Sequence, residues 1–220
     1  MHRTPAGQGR QVLPALWALL AACAVLVLIG TQHPKAAPPQ PAPAASATGP
    51  RASAALPDAA DVSEAPAPTL PAAVPIRVRI PSIGVDAPLT GLSLEADGRL
   101  ASPPPDQPAL AGWYRDGAPP GTTGTAIIAG HVDTARGPAV FYALGALTAG
   151  SLILVDRDDG LTATFLADSV EVHDADAFPD ERVYGAAVRP ELRLITCGGG
   201  YDEKRRRYNG NVVVYAHLVE

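Results

Sequence analysis

The sequence predicts an all-β domain, a barrel or closed sandwich with few helices, carried behind an apolar N-terminal stretch and a proline-rich stalk. Three observations lead to that expectation. Segments of strand length, alternating or continuously apolar, recur at roughly regular spacing from residue 75 onward. Gly, Pro and Asp fall in the breaks between them, where turns need them. Only one stretch places apolar residues at helical spacing, and it is short.

The chain has 220 residues, room for one domain of ordinary size with appendages. Residues 12–30, VLPALWALLAACAVLVLIG, hold no charge. At 1.5 Å per residue, about 19 residues span a hydrocarbon core of about 30 Å, so this stretch is expected to be a retained transmembrane anchor. Arg3 and Arg10 precede it without an acidic residue. The tail 1–11 is therefore expected in the cytoplasm and the rest of the chain outside, as a single-pass membrane protein. A cleaved signal peptide would have a shorter apolar region, about 7–15 residues, with small residues at a cleavage site just after it. Ala36-Ala37 is the one weak candidate for such a site.

Residues 31–73 turn to Ala, Pro and Ser, with eleven of the 24 prolines between Pro34 and Pro75. Too little apolar surface is present to offset ordering entropy, which predicts an extended, disordered linker. The folded domain is expected over 74–220. Its first strand is IRVRI (Ile76 to Ile80), alternating apolar and basic. Pro81-Ser82 breaks it, IGVDAPL resumes extended structure, and Asp97-Gly98 turns the chain before Leu100. TAIIAGHV (Thr125 to Val132) reads as an inner strand. FYALGAL (Phe141 to Leu147) spaces Phe141, Leu144 and Leu147 for one short helix ending at Ala149-Gly150. SLILVDR and LTATFLADSVEVH form a hairpin around Asp158-Asp159-Gly160. ELRLITC and NVVVYAHLV (Asn211 to Val219) are the last two strands.

A net charge of −5 excludes an ordinary nucleic-acid binder. The basic run Lys204 to Arg207 follows Asp202 and Glu203 and reads as a solvated loop. Of the two cysteines, Cys23 lies in the apolar span, so Cys197 is left as a free thiol in an oxidising compartment and is flagged as reactive. One such cysteine with scattered histidines makes no zinc spacing, and neither metal nor cofactor is expected.

Cys197 stands in LRLITCGGGY. A thiol with a free pKa of about 8.5 needs a base or a positive setting to act as a nucleophile. The glycines after it allow close backbone approach, and their N–H groups are suited to an oxyanion site. The competing reading is an inert cysteine ending a strand. Among the histidines, His2 and His33 lie near the membrane, His173 has a surface setting, and His217 is packed in the last strand. His131, after AIIAG at a strand end, is the candidate base, although position alone leaves a structural role open.

Several segments, taken in order, resemble one family. AGHVDTARGPAVFYALGALTAGSLILV and LRLITCGGGYD…YNGNVVVYA are similar to the sortases, specifically the actinobacterial class F group. PIRVRIPSIGVDAPL and GWYRDGAPPGTTGTAIIAGH resemble that class as well, so the likeness covers about Pro75 to Glu220. It implies an eight-stranded β-barrel with one or two short helices. It implies Cys197 as nucleophile and His131 as general acid/base. The expected reaction cleaves an LPXTG-like sorting signal between Thr and Gly through a thioacyl-enzyme, which a cell-wall precursor amine (lipid II or peptidoglycan) then resolves. The expected partners are thus sorting signals of surface proteins, the cell-wall amine and the membrane, with no nucleic acid.

The family's third residue is an arginine, suited to the task by its permanent charge and fixed donor fork. Asn209, Gly210 and Asn211 lead into VVVYA, so the arginine is sought upstream, with Arg207 first, Arg206 second and Arg205 also in the run. Thr196, Gly198, Asp133 and Arg206 are the candidate substrate-contacting residues. Asp133 is placed either to orient the imidazole or to form a turn, and Trp113 and Tyr114 to wall a groove or fill the core. Two other classes compete. One is a catalytically impaired binding module on the same barrel. The other, an L,D-transpeptidase, would place His and Gly shortly before the cysteine and Arg soon after, and LRLITCGGGY has neither.

Overall fold

Alternation along each strand closes the domain around an apolar interior. The computed structural model describes residues 37–41 and 68–220; the expected tail and anchor (1–30) and most of the expected linker lie outside the described residues. Among the described residues, no helix is long and apolar enough to cross a membrane.

In chain order the strands are β1 (Pro75–Ile80), β2 (Val85–Leu92), β3 (Ala111–Tyr114), β4 (Gly124–Gly130), β5 (Asp133–Thr134), β6 (Gly137–Pro138), β7 (Leu152–Arg157), β8 (Thr162–Asp174), β9 (Pro190–Asp202) and β10 (Arg207–Leu218). Eight of them form a closed barrel in the order β1-β2-β3-β4-β9-β10-β8-β7, and β5 pairs only with β6. Closure removes the free sheet edges that an open sheet of this size would expose. β2 runs parallel to β3, and β4 parallel to β9. Parallel neighbours need a crossover rather than a tight turn. The β2–β3 connection (residues 93–110) and the β8–β9 connection (residues 175–189) are long, and both contribute residues, Pro103 and Tyr184 among them, to the groove lined by Ile127 of β4 and Ile195 of β9.

Inward positions fill the core: Val78 and Ile80 from β1, Ile128 from β4, Leu192 and Leu194 from β9, Val212 and Val214 from β10. The opposite faces of β4, β9 and β10 carry a second apolar cluster, Ile127, Val183, Ile195, Val213 and Tyr215. α1 (Asp180–Tyr184) supplies Val183 to it.

The short helix expected in FYALGAL is a single 3-10 turn, Leu144–Ala146. The spacing of three in Phe141, Leu144 and Leu147 matches three residues per turn, and the run is too short for a helical nucleus. All three side chains are buried. The strand expected to end at Cys197 continues to Asp202. Gly199 (φ 75°) and Gly200 (φ 83°) adopt left-handed backbone that lets β9 bend and pair again with β10, across a register shift between Tyr208 and Gly210.

The chain is tied to the barrel before Val74. Leu70 N–H donates to Gly121 O at 2.8 Å. The fully buried Arg157 guanidinium donates to Pro71 O (2.5 Å), Pro120 O (3.0 Å) and Asp159 Oδ2 (2.6 Å).

Candidate active site

Three neighbouring strands bring one residue each to a common level. The β4–β9 ladder ends at Ala129↔Ile195, so His131 stands level with Cys197 two residues further on. In the antiparallel β9–β10 ladder, Cys197 lies opposite Asn211. Side chains directly opposite share a face, and here it is the outward face of Ile195 and Val213. His131, Cys197 and Asn211 therefore form a row across the head of a groove of about 600 Å³. Leu94, Leu100, Tyr114, Ile127 and Ile195 give this groove apolar walls, and among the described residues Arg99 is the one arginine that lines it.

Cys197 is free and exposed. Withdrawal of water by the surrounding walls pushes its thiol pKa up, and the Asp133 carboxylate adds to the rise. At neutral pH the resting group is thus a thiol that must hand its proton to a base. His131 Nε2 lies 2.7 Å from Pro103 O. A carbonyl only accepts, so Nε2 carries the hydrogen, and a neutral imidazole then has its lone pair on Nδ1. Pro103 belongs to the 93–110 crossover, which gives that loop a part in fixing the imidazole. No hydrogen bond joins His131 to Cys197 among the described residues.

Asp133 sits in β5 and accepts a hydrogen bond from Tyr208 Oη at 2.7 Å. Its described partner is thus Tyr208 rather than His131. Burial, the bond to Asp133 and its charge together push the Tyr208 phenol pKa far up. Thr196 points inward, 4 % exposed, with no partner for its hydroxyl among the described residues. Gly198 is buried opposite Gly210.

The arginine run lies elsewhere. Asp202 accepts from the backbone N–H groups of Lys204 and Arg205 and shapes the β9–β10 turn. Arg206 takes a left-handed conformation (φ 53°) in that turn. Arg207 is opposite Asp202, four residues and about 13 Å of strand from Asn211. None of Arg205, Arg206 and Arg207 lines the groove. Tyr114 does line it, whereas Trp113 is in the core. His173 is half-buried and bonded to Tyr215 Oη (2.9 Å), which sets it inward of the surface setting expected for it.

Sequence reasoning missed Asn211, Pro103 and Tyr208. The signal for Asn211 was its place immediately before VVVYA; pairing it with Cys197 required the length and bulge of the turn between them.

The Sortase domain family matches residues 78–219. A search of curated proteins found no match. Among solved structures, sortase A from Corynebacterium diphtheriae is 20% identical with a TM-score of 0.53, over 67% of this chain and 61% of that one. A lid mutant of that protein gives 20% identity and a TM-score of 0.52, over 67% and 70%. Sortase C-1 from Actinomyces oris gives 19% and 0.51, over 66% and 75%.

Proposed function

The chain belongs to the sortase family, and on that premise we propose that it is a membrane-anchored class F cysteine transpeptidase. It cleaves an LPXTG-like sorting signal between Thr and Gly and transfers the new carboxyl end to a cell-wall amine. The observation that carries the reading is the row of His131 and Cys197 at the head of an apolar groove. Apolar walls suit the leucine and proline of such a signal.

In this mechanism His131 Nδ1 takes the Cys197 proton as Sγ attacks the threonine carbonyl carbon. Collapse of the tetrahedral species breaks the C–N bond, and the imidazolium returns the proton to the leaving glycine amine. The incoming amine then attacks the thioester and gives a proton back through His131, regenerating the thiol. The hydrogen bond to Pro103 O holds the ring through both transfers. The substrate oxygen needs a donor, and the Asn211 amide, level with Cys197, is proposed for that place; Arg207, Arg206 and Arg99 are the cationic alternatives.

The full chain in detergent, incubated with an LPXTG-type peptide, tests this by intact mass. An acyl adduct is expected in the wild type, absent in Cys197→Ala and strongly reduced in His131→Ala. Adduct yields for Asn211→Ala, Arg207→Ala, Arg206→Ala and Arg99→Ala then locate the donor. A second reading is an impaired binding module. It is favoured by the asparagine opposite Cys197, where a charged donor is expected. It predicts no adduct and a Cys197 that resists alkylation in the folded chain.

A further inference from the structure

We propose that Gly145, Gly198 and Gly199 form a docking site for an extended, proline-rich peptide, and that the chain's own residues Pro38–Pro41 occupy it. Gln40 Oε1 accepts the Gly199 N–H at 3.0 Å. The same side chain turns its Nε2 back onto Pro38 O (3.2 Å) and Pro39 O (3.3 Å). The amide is thereby clamped with its oxygen forward, toward the barrel.

The receiving surface is shaped for this main chain. Gly145 lies in the Leu144–Ala146 turn and is buried. A Cβ added there would collide with Pro39 O and come within 2.9 Å of Pro39 C. A Cβ on Gly198 would meet Gln40 Oε1 at 3.6 Å, besides striking Val212. Pro38, Pro39 and Pro41 have restricted φ, so little backbone freedom is lost on docking. Proline also brings no N–H that would need an acceptor, and the Gly199 N–H finds its described acceptor in Gln40. These are the terms on which proline-rich segments are usually recognised: a pre-set extended backbone, one polar anchor and close approach to small residues.

The docked segment has a consequence for the site. Gly199 follows Cys197 by two residues, and its N–H is withheld from any other acceptor while Gln40 holds it. A peptide approaching Cys197 from this side must displace Pro38–Pro41. That consequence rests on the function proposed above; the docking itself does not.

Amide hydrogen exchange of the full chain in detergent micelles tests the docking without reference to activity. Gln40→Ala removes the acceptor, and Gly145→Ala places a methyl group against Pro39. Exchange at Gly199 is expected to quicken about fivefold or more in each variant, the effect of losing one hydrogen bond. Protection at Leu192 to Ile195, inside β9, reports that the barrel is intact. Unchanged exchange at Gly199 in Gln40→Ala overturns the proposal. So does a gain in Gln40→Ala without one in Gly145→Ala when β9 stays protected, since the main chain would then not be docked on Gly145. Where Gly145→Ala loses protection in β9 itself, Gln40→Ala, at an exposed position, decides alone.

Discussion

Replacing Asp133 with asparagine is expected to lower the pKa at which Cys197 reacts. Two causes hold that thiol up, loss of water first and the Asp133 charge second. The substitution removes only the second, so less than half of the elevation is recovered. At pH 7, well below the thiol pKa, the thiolate fraction then rises. A less basic thiolate is a poorer nucleophile, with a Brønsted slope of about 0.4–0.5. The net gain in the rate of iodoacetamide alkylation is therefore about half, on a logarithmic scale, of the gain in thiolate. The asparagine keeps an oxygen for Tyr208 Oη, now 2.7 Å from Asp133 Oδ2, so the local geometry is retained. The assay is the pH dependence of the alkylation rate for both proteins, followed by mass. An apparent pKa that stays put or rises in Asp133→Asn, with thermal unfolding unchanged, would refute the electrostatic argument.

Two further outcomes concern the scaffold. Arg157→Met removes a fully buried guanidinium and leaves the buried Pro120 carbonyl without its donor. A loss of about 2–4 kcal/mol in urea unfolding is expected, and a change below about 1 kcal/mol would contradict the anchoring role. The Asp156 carboxyl, which accepts from both Arg79 and Thr162, has its pKa lowered below 3.8, chiefly by the Arg79 hydrogen bond. A depressed carboxyl contributes stability above its unfolded pKa and loses it as pH falls through the folded value. The stability gap between wild type and Asp156→Asn is accordingly expected to be steady above about pH 5 and to close as the pH is lowered below 4. The pair is part-exposed, which limits the gap to about 1 kcal/mol. Unfolding midpoints across that range measure it, and a gap that widens in acid would count against the ion pair.

The strands were legible because the alternation in IRVRI mirrors one buried and one wetter face, and the continuous apolar run in TAIIAGHV mirrors a strand covered on both faces. Element type was less legible where two periods coincide. Phe141, Leu144 and Leu147 suit an α-helix or a 3-10 turn, and only packing against the core chose the turn. Cys197 and His131 were singled out as candidates by the residues beside them and by the order of segments around them. The residue opposite Cys197 was not legible, because a run of three arginines near the last strand offers charge without register. In the structure those arginines belong to a turn that Asp202 organises, and Asn211 stands where the ladder meets Cys197.

The stalk gives the sharpest contrast between the two levels. Its composition suggests little burial, yet composition does not tell which few residues find a complementary surface. Pro39 and Gln40 touch the barrel because a glycine in one turn and two in β9 meet there, far apart in sequence.

By itself, then, the sequence determined the barrel's strand segments and singled out a candidate nucleophile and a candidate base, since each depends on local pattern and residue chemistry. The tertiary structure decided which nitrogen of His131 bears the hydrogen, which residue faces Cys197 and where Gln40 lands. Those depend on cross-strand register and on contacts between segments up to 159 residues apart, distances over which no local pattern carries information.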